Sequence, residues 1–207
     1  MQFWIMKSGL ETFDVARAYG LAALLKYANE DVSEPLVEDK GAVYLVTLPG
    51  GRLSSGHLRN NIGWLDAFEP GEFGNPLSPA WNGLFVTDTA KFKESKRSEV
   101  KKTLEEDLED MISQAQEGGL VASFDGDETL PGGLEPAAFK GLRGRTRGQY
   151  VEGQSKVDKL NWALACLGGA LTGRFIYQRN AYFVVYPVPE RIEWSQFREV
   201  RQETYGE

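Results

Sequence analysis

The sequence predicts a protein of the α+β class, organised as a single mixed domain over residues 1–207. Segments whose apolar residues recur at helical spacing alternate with short runs that are rich in β-branched and aromatic residues. Two such runs, residues 174–177 and 181–186, flank polar residues and predict an antiparallel hairpin. With 42% hydrophobic and 26% charged residues, the composition is that of a globular protein that folds around one core.

The amino-terminal part predicts a strand at residues 2–7 followed by a buried helix. Ser8 and Glu11 have the spacing of a capping box, in which two side chains satisfy free backbone N–H groups at the start of a helix. The residues that follow are apolar on every side of the helix, so we expect it to lie in the core. Gly20 costs about 1 kcal/mol relative to alanine in a helix, which favours a close contact with a neighbouring element.

The next part of the chain predicts a strand, a helix and a loop. Residues 42–48 are rich in β-branched side chains and end at a Pro-Gly-Gly sequence that is typical of a turn. A second helix is expected at residues 57–68. Residues 73–81, with their prolines and glycines, are expected to form an ordered loop.

A charged helix is predicted at residues 91–117, because its apolar residues form one narrow stripe. The bases lie in its first half and the acids in its second half, an order opposite to the one that the helix macrodipole favours. Contact with a partner protein would explain this order, and a solvated face with i,i+4 ion pairs is the alternative. The bases predicted to contact the partner are Lys96, Arg97, Lys101 and Lys102. The apolar stripe consists of Val100, Leu104, Leu108, Met111 and Ala115.

The carboxy-terminal part predicts a long loop, a helix, the hairpin and a last helix. Residues 118–154 are rich in glycine and arginine and predict a loop with at most one short strand, at residues 120–124. Ser155 and Asp158 are predicted to open a helix with a regular apolar period, which leads into the hairpin. The final amphipathic helix is expected at residues 193–204.

The composition excludes several kinds of site. Cys166 is the one cysteine, so it cannot form an internal disulfide, and its apolar surroundings predict a buried thiol. His57 is the one histidine, which excludes sites built from several histidines, and we expect it at the surface or at a helix cap. No metal or other cofactor is expected. Since no stretch is long and apolar enough for a signal peptide or a membrane helix, we expect a cytoplasmic protein.

The most distinctive feature is a basic segment, residues 139–150. Its bases alternate with glycines and no acid lies among them, although the chain has a net charge of −7. Arginine forms paired hydrogen bonds to phosphate, and glycine lets the backbone approach it closely. The segment therefore predicts contact with nucleic acid, and pairing with the protein's own acids is the alternative. The predicted contacts are Lys140, Arg143, Arg145 and Arg147, together with Arg52 and Arg59 in and after a glycine-bearing turn.

Two other function classes remain as alternatives. Asp125 and Asp127 match the D-x-D-x-T pattern of haloacid-dehalogenase-type phosphotransferases. In that family the first carboxylate attacks phosphorus, the second transfers a proton, and both help to hold Mg²⁺. That family also needs a lysine and an acidic pair on later strands, and the sequence after Asp127 has no acidic pair in that context. We therefore expect an acidic turn and no catalytic centre. The other alternative is a protein–protein adaptor that uses the charged helix.

Two stretches resemble the large-subunit proteins of type I CRISPR Cascade complexes. They are residues 10–21, and the helix at residues 162–173 with the following residues 182–189. The resemblance implies a non-catalytic subunit of an antiviral effector that contacts guide RNA or target DNA and assembles with other subunits. Sequence reading would be left largely to pairing with the guide. The chain is much shorter than most such subunits, which favours a split subunit or an amino-terminal portion, and no motif-reading residue is carried over.

Overall fold

The structure, a computed structural model, describes residues 1–61, 90–130, 155–172, 174–178, 181–185, 188 and 190–205. It contains several helices and antiparallel strands, which confirms the α+β class. The helices are α1 (Glu11–Ala28), α2 (Ser55–Asn60), α3 (Ala90–Glu106), α4 (Leu108–Glu117), α5 (Lys159–Thr172) and α6 (Trp194–Tyr205). The strands are β1 (Gln2–Met6), β2 (Leu36–Asp39), β3 (Val43–Thr47), β4 (Glu128–Leu130), β5 (Ser155–Val157), β6 (Arg174–Gln178), β7 (Ala181–Val185) and β8 (Arg191–Glu193).

Helices α1 and α5 pack along each other in the centre of the core. Residues 13–25 of α1 are all buried, as the sequence predicts. Gly20 faces the backbone of α5, because a β-carbon at this position would overlap the carbonyl group of Leu164. Gly168 of α5 is equally close to the carbonyl oxygen of Ala16. The close contact predicted for Gly20 is therefore confirmed.

The capping box predicted for Ser8 and Glu11 at the start of α1 is wrong. The N-cap residue is Leu10, and no side chain caps the helix there. Ser8 donates both its backbone N–H and its hydroxyl to the carboxylate of Asp14, each at 2.8 Å. The same carboxylate accepts the N–H of Gly9 at 3.1 Å. Because the buried Asp14 binds these donors from within the helix, the loop folds back onto α1 without help from Glu11.

Strands β1, β3, β2 and β8 form an antiparallel sheet in that order. One face carries Phe3, Val46, Val37 and Ile192 in a row across the strands, and this row lies in the core. The strands predicted at residues 2–7 and 42–48 are confirmed as β1 and β3. Strands β2 and β8 were not predicted, since each is short and carries charged side chains.

The predicted charged helix is divided into α3 and α4 at Asp107. Its apolar stripe is confirmed, because every residue of the stripe is buried. The prediction that the order of charges opposes the helix macrodipole is wrong for the acids that follow Asp107. Glu109 and Asp110 lie in the first turn of α4, where the helix dipole favours negative charge.

Two local predictions near α5 are corrected. The short strand expected at residues 120–124 lies instead at β4, and Leu120 contributes only a single parallel bridge to Ile5 of β1. Ser155 belongs to β5 and does not open the helix. Asp158 does cap α5, since its Oδ1 atom accepts the N–H of Asn161 at 2.9 Å.

Other expectations agree with the described residues. The hairpin is confirmed as β6 and β7, the last helix as α6, and Cys166 is buried. The helix expected at residues 57–68 is confirmed as α2 only up to Asn60, with His57 in its first turn. Residues 62–68 and the loop predicted at residues 73–81 lie outside the described residues. Within the described ranges, each helix is either too short or too polar to cross a bilayer.

Candidate nucleic-acid interface

Strands β4 and β5 form the foot of the loop that carries the basic segment. They pair antiparallel, with Thr129 opposite Lys156 and Leu130 opposite Ser155. The connection between them, residues 131–154, is called the basic loop below and lies outside the described residues. The predicted phosphate contacts Lys140, Arg143, Arg145 and Arg147 lie outside with it. The structure describes the two residues that flank the basic loop, Leu130 and Ser155, which lie opposite each other and about 5 Å apart.

A buried arginine organises the backbone that leads to this foot. Arg17 of α1 donates its Nε–H to Oδ1 of Asn161 at 2.8 Å. Its Nη1 atom donates to Asp14 at 2.8 Å and to the carbonyl oxygen of Met6 at 3.1 Å. Its Nη2 atom donates to the carbonyl oxygen of Leu120 at 2.9 Å. The guanidinium therefore joins the end of β1, α5 and the segment before β4.

Asn161 and Asp158, at the start of α5, hold the next residues of that segment. Asn161 donates from Nδ2 to the carbonyl oxygen of Val121 at 3.1 Å. The carboxylate of Asp158 accepts the N–H of Ser123 at 2.8 Å, and the N–H of Asp158 donates to the carbonyl oxygen of Ser123 at 2.9 Å. Residues 120–123 are thus fixed by side chains as well as by backbone pairing. Arg17, Asn161 and Asp158 are called the anchor network below.

The anchor network contains a buried positive charge, the guanidinium of Arg17. Arg17 is 0% exposed. Burial lowers the pKa of Arg17, whereas the nearby carboxylates of Asp14 and Asp158 raise it. Because arginine is not deprotonated in proteins, the guanidinium stays charged and needs the acceptors that surround it. Removing one of these acceptors would leave the buried charge of Arg17 without a partner, which costs more free energy than the intact pair contributes. The bonds of Arg17 therefore hold β1, α5 and the segment before β4 together.

The two aspartates of the phosphotransferase pattern lie on an exposed turn between Leu120 and β4. The hydroxyl of Ser123 donates a hydrogen bond to Asp125, and this bond lowers the pKa of the Asp125 carboxyl. Asp127 is exposed beside it. Among the described residues, no three acidic, histidine or cysteine side chains come together to hold a metal ion.

Gly126 seats this acidic turn on β5. A β-carbon at Gly126 would overlap the carbonyl group of Val157 and approach the backbone nitrogen of Asp158. Glycine is therefore required by the close approach of two backbones. The contact brings the turn, β5 and the start of α5 into one packed unit at the foot of the basic loop.

Arg52 and Arg59 lie on a separate segment, residues 51–60, whose helix α2 packs on α1 and α3. The Arg52 side chain is 84% exposed, and its Nε atom lies 3.8 Å from a carboxylate oxygen of Glu30. The backbone of Arg52 is held more firmly, since its carbonyl oxygen accepts the N–H of Glu30 at 3.0 Å. Arg59 is exposed on α2. Their contact with phosphate stays a prediction.

The bases of α3 are partly paired within the helix. Lys101 lies 3.9 Å from Glu105, and Lys102 lies 3.8 Å from Glu106, each one turn later. This pairing is what a solvated helix face would have. Lys96 and Arg97 lie on the same helix, but their side chains are outside the described part. The predicted interface with a partner stays a prediction.

The anchor network was not predicted from the sequence. One signal was present: Asp14 and Arg17, three residues apart, are the charged pair inside an otherwise apolar helix. Their spacing places them on one helix face, and burial of that face demands further polar partners. Those partners, Asn161 and the carbonyl group of Leu120, are too distant in the sequence for any spacing rule to identify.

Comparison with known proteins gives one relative and no family. No family model matches the chain. An uncharacterized protein from Archaeoglobus fulgidus is 30% identical over 174 residues, which cover 81% of this chain and 45% of that protein. The chain therefore spans a little less than half the length of this relative. The relative's name assigns it no activity, so the similarity contributes none here.

Proposed function

We propose that the chain is a non-catalytic, cytoplasmic nucleic-acid-binding subunit of a CRISPR RNA-guided effector complex. The observation that carries this proposal is the basic segment, an acid-free stretch of alternating bases and glycines in a chain with a net charge of −7. A globally acidic surface repels phosphate, so contact with nucleic acid has to be local. The segment concentrates positive charge within a short stretch of the chain, where such contact is favourable.

The chemistry of the segment fits a phosphate backbone and not the edges of particular bases. Arginine forms paired, charge-assisted hydrogen bonds to phosphate oxygens, and glycine exposes its backbone N–H groups to the same ligand. Phe139 and Tyr150, at the ends of the segment, offer rings for stacking on bases. Contacts of this kind position a protein on nucleic acid without reading its sequence. Guide pairing would then supply the specificity.

The resemblance to Cascade large subunits supplies the proposed partners. They are guide RNA or target DNA, and neighbouring protein subunits. Lys140, Arg143, Arg145 and Arg147 would contact phosphate, with Arg52 and Arg59 as further contacts, and Lys96, Arg97, Lys101 and Lys102 would face a neighbouring subunit. The chain spans 45% of the length of its relative, so a further part of the longer protein can contribute to function. That this chain acts as a whole subunit is therefore part of the proposal.

Salt-dependent binding tests the phosphate contacts. The variant with Lys140, Arg143, Arg145 and Arg147 replaced by alanine is expected to bind a labelled DNA duplex more weakly. The slope of log affinity against log salt should fall by about 0.9 for each phosphate contact that is lost. An unchanged slope would reject the proposal.

A smaller pair of variants controls for net charge. Arg143→Ala/Arg145→Ala removes two positive charges from the basic segment. Lys40→Ala/Arg191→Ala removes two from exposed side chains that both lie beside Glu38 in the sheet. Only the first pair should lower the salt slope. Equal effects of the two pairs would mean that overall charge, and not the basic segment, governs binding.

Purification from the native cell tests the assembly. A guide RNA and several protein subunits are expected to accompany the tagged chain. Recovery of the chain with proteins but without RNA would contradict the proposed effector complex and favour an adaptor.

A further inference from the structure

We infer that residues 121–127, together with the adjacent side of β1, form a docking site for another protein. The occupant is a segment of that protein with basic and apolar side chains. The inference goes beyond the function proposed above and does not depend on it, because neither the site nor its test involves nucleic acid. The side chains that form the docking site are Met6, Val121, Phe124, Asp125 and Asp127.

Two apolar side chains of the docking site are exposed within four residues of sequence. Val121 is 66% exposed and Phe124 is 45% exposed. Single exposed apolar residues are ordinary at a protein surface, whereas groups of them mark contact sites. The other large apolar side chains that are exposed in the described part lie on separate segments, and they are Met1, Val32, Val188 and Val200.

Pairing with β1 shows on which face of the sheet Val121 lies. The carbonyl oxygen of Leu120 accepts the N–H of Met6 at 3.0 Å, and Leu120 forms a parallel bridge with Ile5. Leu120 and Ile5 lie in the core, and Ala122 packs against it. Because side chains alternate between the two faces of a sheet, Val121 lies on the face away from the core, beside Met6.

Gly119 keeps this outer face of β1 open. Its φ angle is +83°, and a β-carbon there would lie 3.2 Å from side-chain atoms of both Met6 and Trp4. A larger residue would therefore cover these two side chains, which are only half-buried. The apolar surface thus continues from Val121 onto β1.

The anchor network holds the docking site in place. It bonds to the carbonyl oxygens of Leu120 and Val121 and to the N–H of Ser123. A site that is formed before its partner arrives loses little conformational entropy on binding. Because these backbone groups are already bonded, the partner is recognised through side chains and not by the addition of a strand.

Two acids set the charge that the partner needs. Asp125 and Asp127 are exposed directly after Phe124, and neither forms an ion pair with a base in the described part of the chain. The hydrogen bond from Ser123 lowers the pKa of Asp125, which keeps this carboxyl ionised. Exposed apolar side chains beside unpaired negative charge repel phosphate and favour a basic peptide segment.

Photo-crosslinking in the native cell identifies the occupant. The photoreactive amino acid p-benzoylphenylalanine, in place of Phe124, keeps an exposed aromatic ring and reacts on irradiation with the chain that lies against it. The expected product is a segment of another protein that contains lysine or arginine beside apolar residues. The same label in place of the exposed Val32 is the control and should not give this product.

Four results of the crosslinking experiment would overturn the inference. They are a crosslink within the same chain, a crosslink between two copies of the chain, a crosslink to nucleic acid, and the absence of any product that the Val32 control does not also give.

A synthetic copy of the crosslinked segment then measures the apolar contribution, by fluorescence polarisation with the full chain. Val121→Ser/Phe124→Ser should bind it about tenfold more weakly, because less apolar surface is buried. Val32→Ser/Val200→Ser removes apolar surface from exposed positions elsewhere and should match wild type. Equal affinities of the two double variants would contradict the docking site.

The acids are tested with the same peptide. Asp125→Asn/Asp127→Asn should bind about threefold more weakly at about 50 mM salt, and should match wild type at about 1 M salt, where exposed charges are screened. Asp31→Asn/Asp107→Asn removes the same charge from exposed side chains elsewhere and should not change the affinity. If the two variants behave alike, the acids do not select the partner, and the inference of a basic occupant is wrong.

Thermal melting checks that the variants are folded. All of them replace exposed side chains, so we expect melting temperatures close to that of wild type. Should the apolar double variant melt early, Val121→Thr keeps the branched shape of the side chain and should still weaken binding. Wild-type affinity of a folded Val121→Thr would then reject the contact with Val121.

Discussion

Gly20 of α1 and Leu164 of α5 approach each other so closely that no β-carbon fits between the glycine and the leucine carbonyl group. Gly168 makes the reciprocal contact with Ala16. The backbones of the two helices therefore touch in the centre of the core. Because Asp158 caps the start of α5 and directly follows β5, the crossing of these helices sets the position of β5 relative to β1.

Gly20→Ala is predicted to destabilise the protein in spite of the better helix propensity of alanine. The new methyl group would overlap the backbone of α5, and overpacking in a core costs about 1–3 kcal/mol. Gly50→Ala is the control, because a β-carbon there meets no atom within 4 Å. Urea unfolding measures both variants, and equal stability of the two would contradict the backbone contact.

Arg17→Met is predicted to cost about 3–5 kcal/mol, because it leaves Asp14 buried without its ion partner. It also removes the donors to the carbonyl groups of Met6 and Leu120. Lys40→Met breaks a half-exposed ion pair with Glu38 and should cost less than about 1 kcal/mol. A loss for Arg17→Met as small as the loss for Lys40→Met would show that the buried network is dispensable.

Tyr44 is predicted to make the fold sensitive to alkaline pH. Burial raises the pKa of its hydroxyl above the ordinary 10.0, and the carboxylates of Asp39, Glu11 and Asp14 add to the shift. Since the pKa is higher in the folded chain, this contribution to stability is complete below pH 10 and is lost as the pH rises above it. Ionisation of the unfolded chain then costs the folded state up to about 1.4 kcal/mol per pH unit.

Tyr44→Phe removes this dependence. The difference in unfolding free energy between wild type and Tyr44→Phe should be constant below pH 10, and above it wild type should lose stability relative to Tyr44→Phe, as measured by denaturant titration. A difference that stays constant up to pH 11, about one unit above the ordinary value, would contradict the raised pKa.

The sequence predicted those elements in which one period runs unbroken over many residues. α1, α5 and the β6–β7 hairpin are of this kind, and their burial or pairing followed from the pattern. The break at Asp107 was not predictable from spacing. Helical hydrogen bonds continue on both sides of it, from Asp107 to Thr103 and from Met111 to Asp107, so the apolar stripe runs on without interruption.

Short strands and long-range polar contacts escaped prediction for a different reason. β8 has three residues, two of them charged, and becomes a strand only because Ile192 fits beside Val37. The anchor network joins Arg17 to Asn161 across 144 residues of sequence, so neither partner indicates the other. Local patterns identified the basic segment, but the residues of the anchor network are brought together only by the tertiary fold.

The ion pairs of α3 give a last prediction, which separates the two interpretations of its bases. Lys101→Gln/Lys102→Gln removes two i,i+4 pairs, each worth about 0.2–0.5 kcal/mol, so the free energy of unfolding should fall by less than about 1 kcal/mol. A subunit interface predicts in addition that fewer protein partners accompany the variant from its native cell, and that Lys40→Gln/Arg191→Gln recovers them in full. If both variants recover the same partners in the same amounts, Lys101 and Lys102 belong to a solvated helix face, because an interface that loses two charged contacts cannot keep its affinity unchanged.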